Sequence, residues 1–238
     1  MNDDGSRIVV VSASPNSSYT KTVVLVYEYN AKGDVWEQLG DAIENTQVDP
    51  EYSCSATISM NGAGDRIVVG FPINGNKRSS YFYYYDSNIF AYEFDENRKV
   101  WIQLGGQIDH VQSGLGLGFV ARFSKDGTRI AIGAQGSTSV SYYYPFKAYL
   151  QVFEYDNERN DWKEIGQHIC SDEDETYAGS LNGKSLSLNA DGSKIIVGAQ
   201  FHVKRKEHRA NDDSPDGVGR IKVYKYEKES EGAYLEIE

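Results

Sequence analysis

The chain has 238 residues, a net charge of −11 and 39% hydrophobic residues, and its 18 tyrosines help bring the aromatic share to 13%. The acidic balance argues against a nucleic-acid face, which needs cations to displace phosphate counterions, and against an anionic membrane surface. No stretch approaches the roughly 20 apolar residues of a membrane helix, and no charged segment followed by an apolar one comes after Met1, so no signal peptide is expected in this sequence.

The first element is Asp4-Gly5-Ser6-Arg7-Ile8-Val9-Val10. It returns as Ala63-Gly64-Asp65-Arg66-Ile67-Val68-Val69, as Asp126-Gly127-Thr128-Arg129-Ile130-Ala131-Ile132 and as Asp191-Gly192-Ser193-Lys194-Ile195-Ile196-Val197. Glycine stands at 5, 64, 127 and 192, so the spacing is 59, 63 and 65 residues. A near-constant period of this size marks one supersecondary unit copied in tandem.

After each copy comes an apolar-aromatic run: Val24–Tyr29, Ile89–Phe94, Leu150–Tyr155 and Ile221–Tyr226. A third run opens with Trp36, Trp101 or Trp162, and in the last unit with Tyr234. The three tryptophans hold one repeat position, which predicts packing residues on an outer strand, partly buried between neighbouring units. A fourth run precedes the glycine, with Ala56, Ile58 and Met60, Phe119, Ala121 and Phe123, or Leu186 and Leu188 alternating with polar residues. That alternation has the period of a strand, and the Asn61–Gly64, Ser124–Gly127 and Asn189–Gly192 segments read as tight hairpin turns.

Each unit is therefore four antiparallel strands, A to D in chain order. Strand B is apolar on consecutive residues, so both of its faces must be covered. Sheets stacked around an axis do this and an isolated sheet cannot. The prediction is an all-β, β-propeller-like array of four four-stranded blades in a single repeat domain, 1–238, with units near 1–52, 53–115, 116–182 and 183–238. No helical period occurs, and no helix longer than two turns is expected.

The run Ser187–Ala199, followed by Val223-Tyr224-Lys225-Tyr226, resembles the FG-GAP type repeat that builds the propeller of integrin α-subunits. The similarity extends over all four units. Gly133-Ala134 and Gly198-Ala199 keep one family element, and Gly118-Phe119 is a loose copy of the other. The resemblance implies a binding or adhesion module, extracellular or at the cell surface. Calcium-binding members carry several carboxylates between strands A and B. Here that turn offers Asp3 and Asp4, or Asp126, or Asp191, too few for an ion that takes 6–8 oxygens. No metal and no cofactor is expected.

Met1 aligns with Met60, Phe123 and Leu188, the last apolar residue of strand A. The chain is thus expected to begin inside a blade, with 15 strands in all and no inner strand in the first blade. It is read as part of a longer propeller with further repeats, or else as a four-bladed ring with a defective first blade. Cys54 and Cys170 fall at non-equivalent positions and are expected to be unpaired.

The B–C connections vary most, and variable loops on a constant scaffold are where function usually sits. Tyr81, Tyr83, Tyr84 and Tyr85 stand in unit two, and Tyr142, Tyr143 and Tyr144 in unit three. They are the candidate ligand-binding residues, a tyrosine patch suited to a protein or glycan partner; a competing reading has them extend strands B and C. His202 and His208 sit among Lys204, Arg205, Lys206 and Arg209, which repel a cation, so that loop reads as solvated, as does the acidic run 171–175. Asn16-Ser17-Ser18 fits a glycosylation acceptor, a pattern common by chance. No Gly-x-Ser-x-Gly elbow, Cys/His dyad or metal-ligand spacing occurs. A non-catalytic binding module is expected; a propeller hydrolase or lyase with its site at the axial mouth, and a purely architectural repeat, are the alternatives.

Overall fold

The structure, a computed structural model, describes residues 1–15, 20–45, 56–74, 85–108, 117–134, 149–170, 185–202, 218–228 and 232–237. These contain 16 strands and no helix. The first sheet holds β1 (Arg7–Pro15), β2 (Thr20–Asn30), β3 (Val35–Gln38) and β4 (Ile43–Asn45). The second holds β5 (Thr57–Met60), β6 (Arg66–Asn74), β7 (Tyr85–Asp95) and β8 (Val100–Gln103). The third holds β9 (Leu117–Phe123), β10 (Arg129–Ala134), β11 (Tyr149–Asp156) and β12 (Asp161–Cys170). The fourth holds β13 (Leu186–Leu188), β14 (Lys194–His202), β15 (Val218–Glu227) and β16 (Ala233–Ile237). Within each sheet the neighbours are antiparallel, and sheets two to four run in chain order. This is the expected array of four propeller-like blades.

The first sheet differs from expectation in one respect. It has a fourth strand, but on the outer side: β3 and β4 both pair with β2, and β1 pairs with β2 alone among the described residues. The cause is Gly40, at φ 73°, which bends the chain between β3 and β4. Gly105 and Gly166 sit at the same repeat position with φ 76° and 75°. In unit three the strand runs on through the bend as β12, and in unit two Ile108 bridges Ile89 beyond the bend. Strand D is thus broken at the glycine in units one and two and continuous through it in unit three. Among the described residues no strand pairs with the inner side of β1, in line with the expectation for the first blade.

Three apolar clusters hold the array together, one between each consecutive pair of sheets. Val24, Val26 and Leu39 meet Ile67, Val69 and Phe71. Val68, Ile89 and Ala91 meet Ala121, Ile130 and Ile132. Ala131, Leu150 and Val152 meet Leu186, Ile195 and Val197. The consecutive apolar residues of β6 are now explained: Ile67 and Val69 face the first sheet, Val68 faces the third, and all three are fully buried. Side chains alternate across a strand, so a sheet buried on both faces needs an unbroken apolar run.

Polar latches repeat across the same interfaces. Trp101 Nε1 donates to the Leu39 carbonyl at 2.9 Å, and Trp162 Nε1 to the Leu104 carbonyl at 2.8 Å. Arg7 pairs with Glu28 of its own sheet and Glu96 of the next, both at 2.8 Å, and lies 5.6 Å from the Phe94 ring. Arg66 pairs with Glu93 at 2.8 Å and lies 5.4 Å from Tyr155; Arg129 pairs with Glu154 at 2.7 Å and lies 4.7 Å from Tyr226. The tryptophans occupy one register position, opposite Tyr29, Phe94 and Tyr155. Trp101 and Trp162 are half-buried, whereas Trp36 is exposed, with no sheet packed on its face among the described residues. The expectation of partial burial between blades therefore holds for two of the three.

Candidate binding face

The two ends of the array are built differently. At one end lie the A–B turns, which use up their own polar groups. The side chains of Asn2, Asn61, Ser124 and Asn189 accept from the backbone N–H of Arg7, Arg66, Arg129 and Lys194 at 2.7–3.0 Å. Asp4, Asp126 and Asp191 accept from the N–H two residues on, at 2.8–3.0 Å. Hydrogen bonds from Ser6 and Ser193 hold the Asp4 and Asp191 carboxyls below the usual carboxylate range. Consecutive turns are also laced to one another, Asp3 N–H to Gly62 O at 3.0 Å, Gly62 N–H to Lys125 O at 2.8 Å and Asp126 N–H to Ala190 O at 2.9 Å. Gly64 has φ 78°, and a Cβ there would lie 2.9 Å from Asn2 Nδ2.

The B–C connections leave from the opposite end of strand B. They join Pro15 to Thr20, Asn74 to Tyr85, Ala134 to Tyr149 and His202 to Val218. Of the candidate binding residues, Tyr85 opens β7 and pairs through its backbone with Asn74. Tyr81, Tyr83, Tyr84, Tyr142, Tyr143 and Tyr144 lie outside the described residues, as do Cys54, the acidic run 171–175 and the loop 203–217. The strand ends place the second and third connections at the same end of adjacent sheets, since β6, β7 and β9 pack together.

Further polar features were not legible in the sequence. Arg122 on β9 is half-buried; its Nη1 donates to the Ala121 carbonyl at 2.9 Å and the Ile58 carbonyl at 3.5 Å, and among the described residues no carboxylate pairs with it. Burial pushes its guanidinium pKa down. Only the contrast with Ser59 and Ser187 at the equivalent repeat position marks it out. Gln151 and Lys222 occupy a buried strand C position where the first two units have Leu25 and Phe90. Gln151 Nε2 lies 3.3 Å from Glu164 and 3.1 Å from His168, and Lys222 lies 3.3 Å from Glu236. Lys222 and the Gln151 Nε2 group are tolerated inside because they are paired, whereas Gln151 Oε1 is buried with no hydrogen-bond partner among the described residues. Tyr234, in the tryptophan position, donates its hydroxyl to the Gly192 carbonyl at 2.6 Å, and burial pushes its pKa up to about 12. Among the described residues no three His, Cys, Asp or Glu side chains gather as a metal site would require, and no helix is long and apolar enough to cross a membrane.

The fold defines the class: an all-β array of propeller-like blades. No family model matches the sequence, and no curated protein does. Solved structures are similar at low identity. A Trypanosoma rangeli sialidase in complex with the inhibitor DANA is 10% identical with a TM-score of 0.47, over 99% of this chain and 36% of that one. A Pyrococcus horikoshii acylaminoacyl peptidase is 11% identical with a TM-score of 0.45, over 97% and 30%. A Bombyx mori GH32 beta-fructofuranosidase is 13% identical with a TM-score of 0.45, over 98% and 46%. The chain spans less than half the length of each of these proteins.

Proposed function

We propose that this chain is a non-catalytic binding module that presents a tyrosine-rich loop face to a protein or carbohydrate ligand. The observation that carries the reading is the contrast between the two ends. The A–B turns are short, alike and saturated with their own hydrogen bonds. The connections at the other end differ from unit to unit and hold Tyr81, Tyr83, Tyr84, Tyr85, Tyr142, Tyr143 and Tyr144, drawn from two adjacent sheets. Tyrosine gives large, rigid contact area with a polar tip at low entropic cost, and a contiguous aromatic patch on a scaffold marks an interaction surface. The resemblance to FG-GAP type repeats supports an adhesion role outside the cell or at its surface, and further repeats of the same kind as neighbours in a parent chain.

The test replaces Tyr83, Tyr84, Tyr142 and Tyr143 by serine. A glycan array and a pull-down with the unaltered protein identify the ligand; the variant is expected to lose that binding while its melting temperature stays within a degree or two, as surface changes usually do. A variant that unfolds makes the tyrosines core residues. A variant that binds as before moves the site elsewhere, and chemical turnover of a bound glycan by the unaltered protein makes the chain an enzyme.

A further inference from the structure

The inner strands β5, β9 and β13 belong to consecutive sheets and pack side by side. The free edge of each turns alternate amides away from its own sheet. On β9 these amides are spent. Ala121 N–H donates to Thr57 Oγ1 and Phe123 N–H to Ser59 Oγ, both at 3.2 Å, so two hydroxyls of β5 cap the edge of β9. The register makes Val120 the counterpart of Thr57 and Arg122 that of Ser59: the first pair sits opposite Gly133 and Gly70, the second opposite Ala131 and Val68. On β13 the matching amides are those of Leu186 and Leu188, because Asn189 N–H to Lys194 O and Gly198 N–H to Ser185 O mark the alternate residues as the ones bonded to β14. Valine has no acceptor, and a guanidinium has donors only. The edge of β13 therefore lacks both hydroxyl caps, and among the described residues neither amide has an acceptor. Leu186 is only 7% exposed, and a buried N–H without a partner is costly.

Arg122 brings further unspent donors to the same edge. Its Nη1 is held by the Ala121 and Ile58 carbonyls at 2.9 and 3.5 Å. Its Nε and Nη2 have no partner among the described residues, and that side of a guanidinium takes a carboxylate through two parallel hydrogen bonds. Burial lowers the Arg122 pKa with no acid to offset it, yet a guanidinium keeps its charge. A half-buried cation and two strand-edge amides thus stand together with no negative group between them. Sheets three and four are consecutive in the chain and packed on one another through Ala131, Leu150 and Val152 against Leu186, Ile195 and Val197, so no other repeat comes between β9 and β13. We propose that the inner edge between β9 and β13 is an anion site that takes the carboxylate of a ligand, with Arg122 as its cation and the Leu186 and Leu188 amides as neutral donors. The ligand oxygens replace the hydroxyls that Thr57 and Ser59 supply one unit earlier. The site adjoins the A–B turns at Ser124 and Asn189, at the opposite end from the tyrosine connections, and does not depend on them.

The test is an NMR titration of the full chain with acetate as the bare carboxylate, against chloride at the same ionic strength. The signals read are the backbone amides of Leu186 and Leu188 and the Nε–H of Arg122. In the unaltered chain all three are expected to shift saturably with acetate and not with chloride. Glucuronate and N-acetylaspartate amide, titrated alongside, separate a carboxylate carried on a sugar from one carried on an acidic side chain; tighter binding of either than of acetate supports the site. Arg122→Gln should weaken acetate binding by about tenfold or more, the worth of a hydrogen bond to a charged group. The double variant Val120→Thr with Arg122→Ser copies the β5 pair onto β9, so it should cap Leu186 and Leu188, keep the melting temperature at or above that of the unaltered chain, and show no saturable shift; it serves also if Arg122→Gln does not fold. Equal response to acetate and chloride, shifts confined to other residues, or saturable binding that persists in a folded variant without Arg122 each overturns the proposal.

Discussion

Trp101→Ala and Trp36→Ala should differ in their cost although the two residues hold one repeat position. Trp101 is half-buried between the first two sheets, its ring 5.1 Å from Phe94, and its Nε1 donates to the Leu39 carbonyl at 2.9 Å. Truncation removes the aromatic pair, worth about 0.5–1.5 kcal/mol beyond area. It strands a carbonyl, at about 1–3 kcal/mol, and opens a cavity, so the total falls in the range of about 3–5 kcal/mol seen for large core truncations. Among the described residues Trp36 stacks on Tyr29, at 5.3 Å, on an exposed face. Its loss should cost about 1 kcal/mol, the centre of ordinary single substitutions. The assay is urea unfolding followed by far-UV circular dichroism, which does not depend on tryptophan emission, at a concentration where the protein is a single chain. A difference below about 1 kcal/mol, within the scatter expected of unrelated sites, would refute the claim that Trp36 stands on an exposed face while Trp101 is packed between two sheets.

Three further outcomes follow from the same geometry. Gly64→Ala should destabilise by about 1–3 kcal/mol, because φ 78° suits glycine and the new Cβ meets Asn2 and Arg7; chemical denaturation measures it, and a neutral result would mean the turn relaxes freely. Tyr234 has its pKa raised from 10.0 to about 12 by burial. The neutral phenol is the form the fold favours, so this stabilisation is full below pH 10 and is lost as pH rises through the folded value. Tyr234→Phe should flatten the alkaline limb of stability against pH, and an unchanged limb would show that another group controls it. Millimolar calcium against chelator should leave the melting temperature unchanged, since the turn carboxylates of Asp4, Asp126 and Asp191 are engaged in their own turns; a clear rise with calcium would place a site in 171–175 or 211–216.

The recurring glycine with its apolar run made the blades readable before any coordinates, because a positive-φ hairpin and a doubly buried strand leave few residue choices. The packing position of Trp101 and Trp162 was readable for the same reason. Local pattern did not show that Gly40 would break strand D into β3 and β4, since a short outer strand pays little for an interruption. Nor did it show that Arg7, Arg66 and Arg129 latch one sheet to the next, because that role depends on the carboxylate and aromatic ring that a neighbouring repeat supplies. The exposure of Trp36 depends on what lies beside its sheet and not on its own repeat. The tyrosine connections carry composition without a period, so their sequence names a surface and leaves its shape open.

Amide hydrogen exchange tests the central claim most directly. In β6 the alternate amides of Val68 and Gly70 point to β5, and their counterparts in β1 are those of Val9 and Val11. If each repeat is one sheet and the first lacks its inner strand, Val68 and Gly70 exchange slowly while Val9 and Val11 exchange near the rate of open backbone. Ile8 and Val10, whose amides point to β2, should stay protected. Slow exchange at Val9 and Val11, matching Val68 and Gly70, would show an inner strand in place on the first sheet and contradict the account.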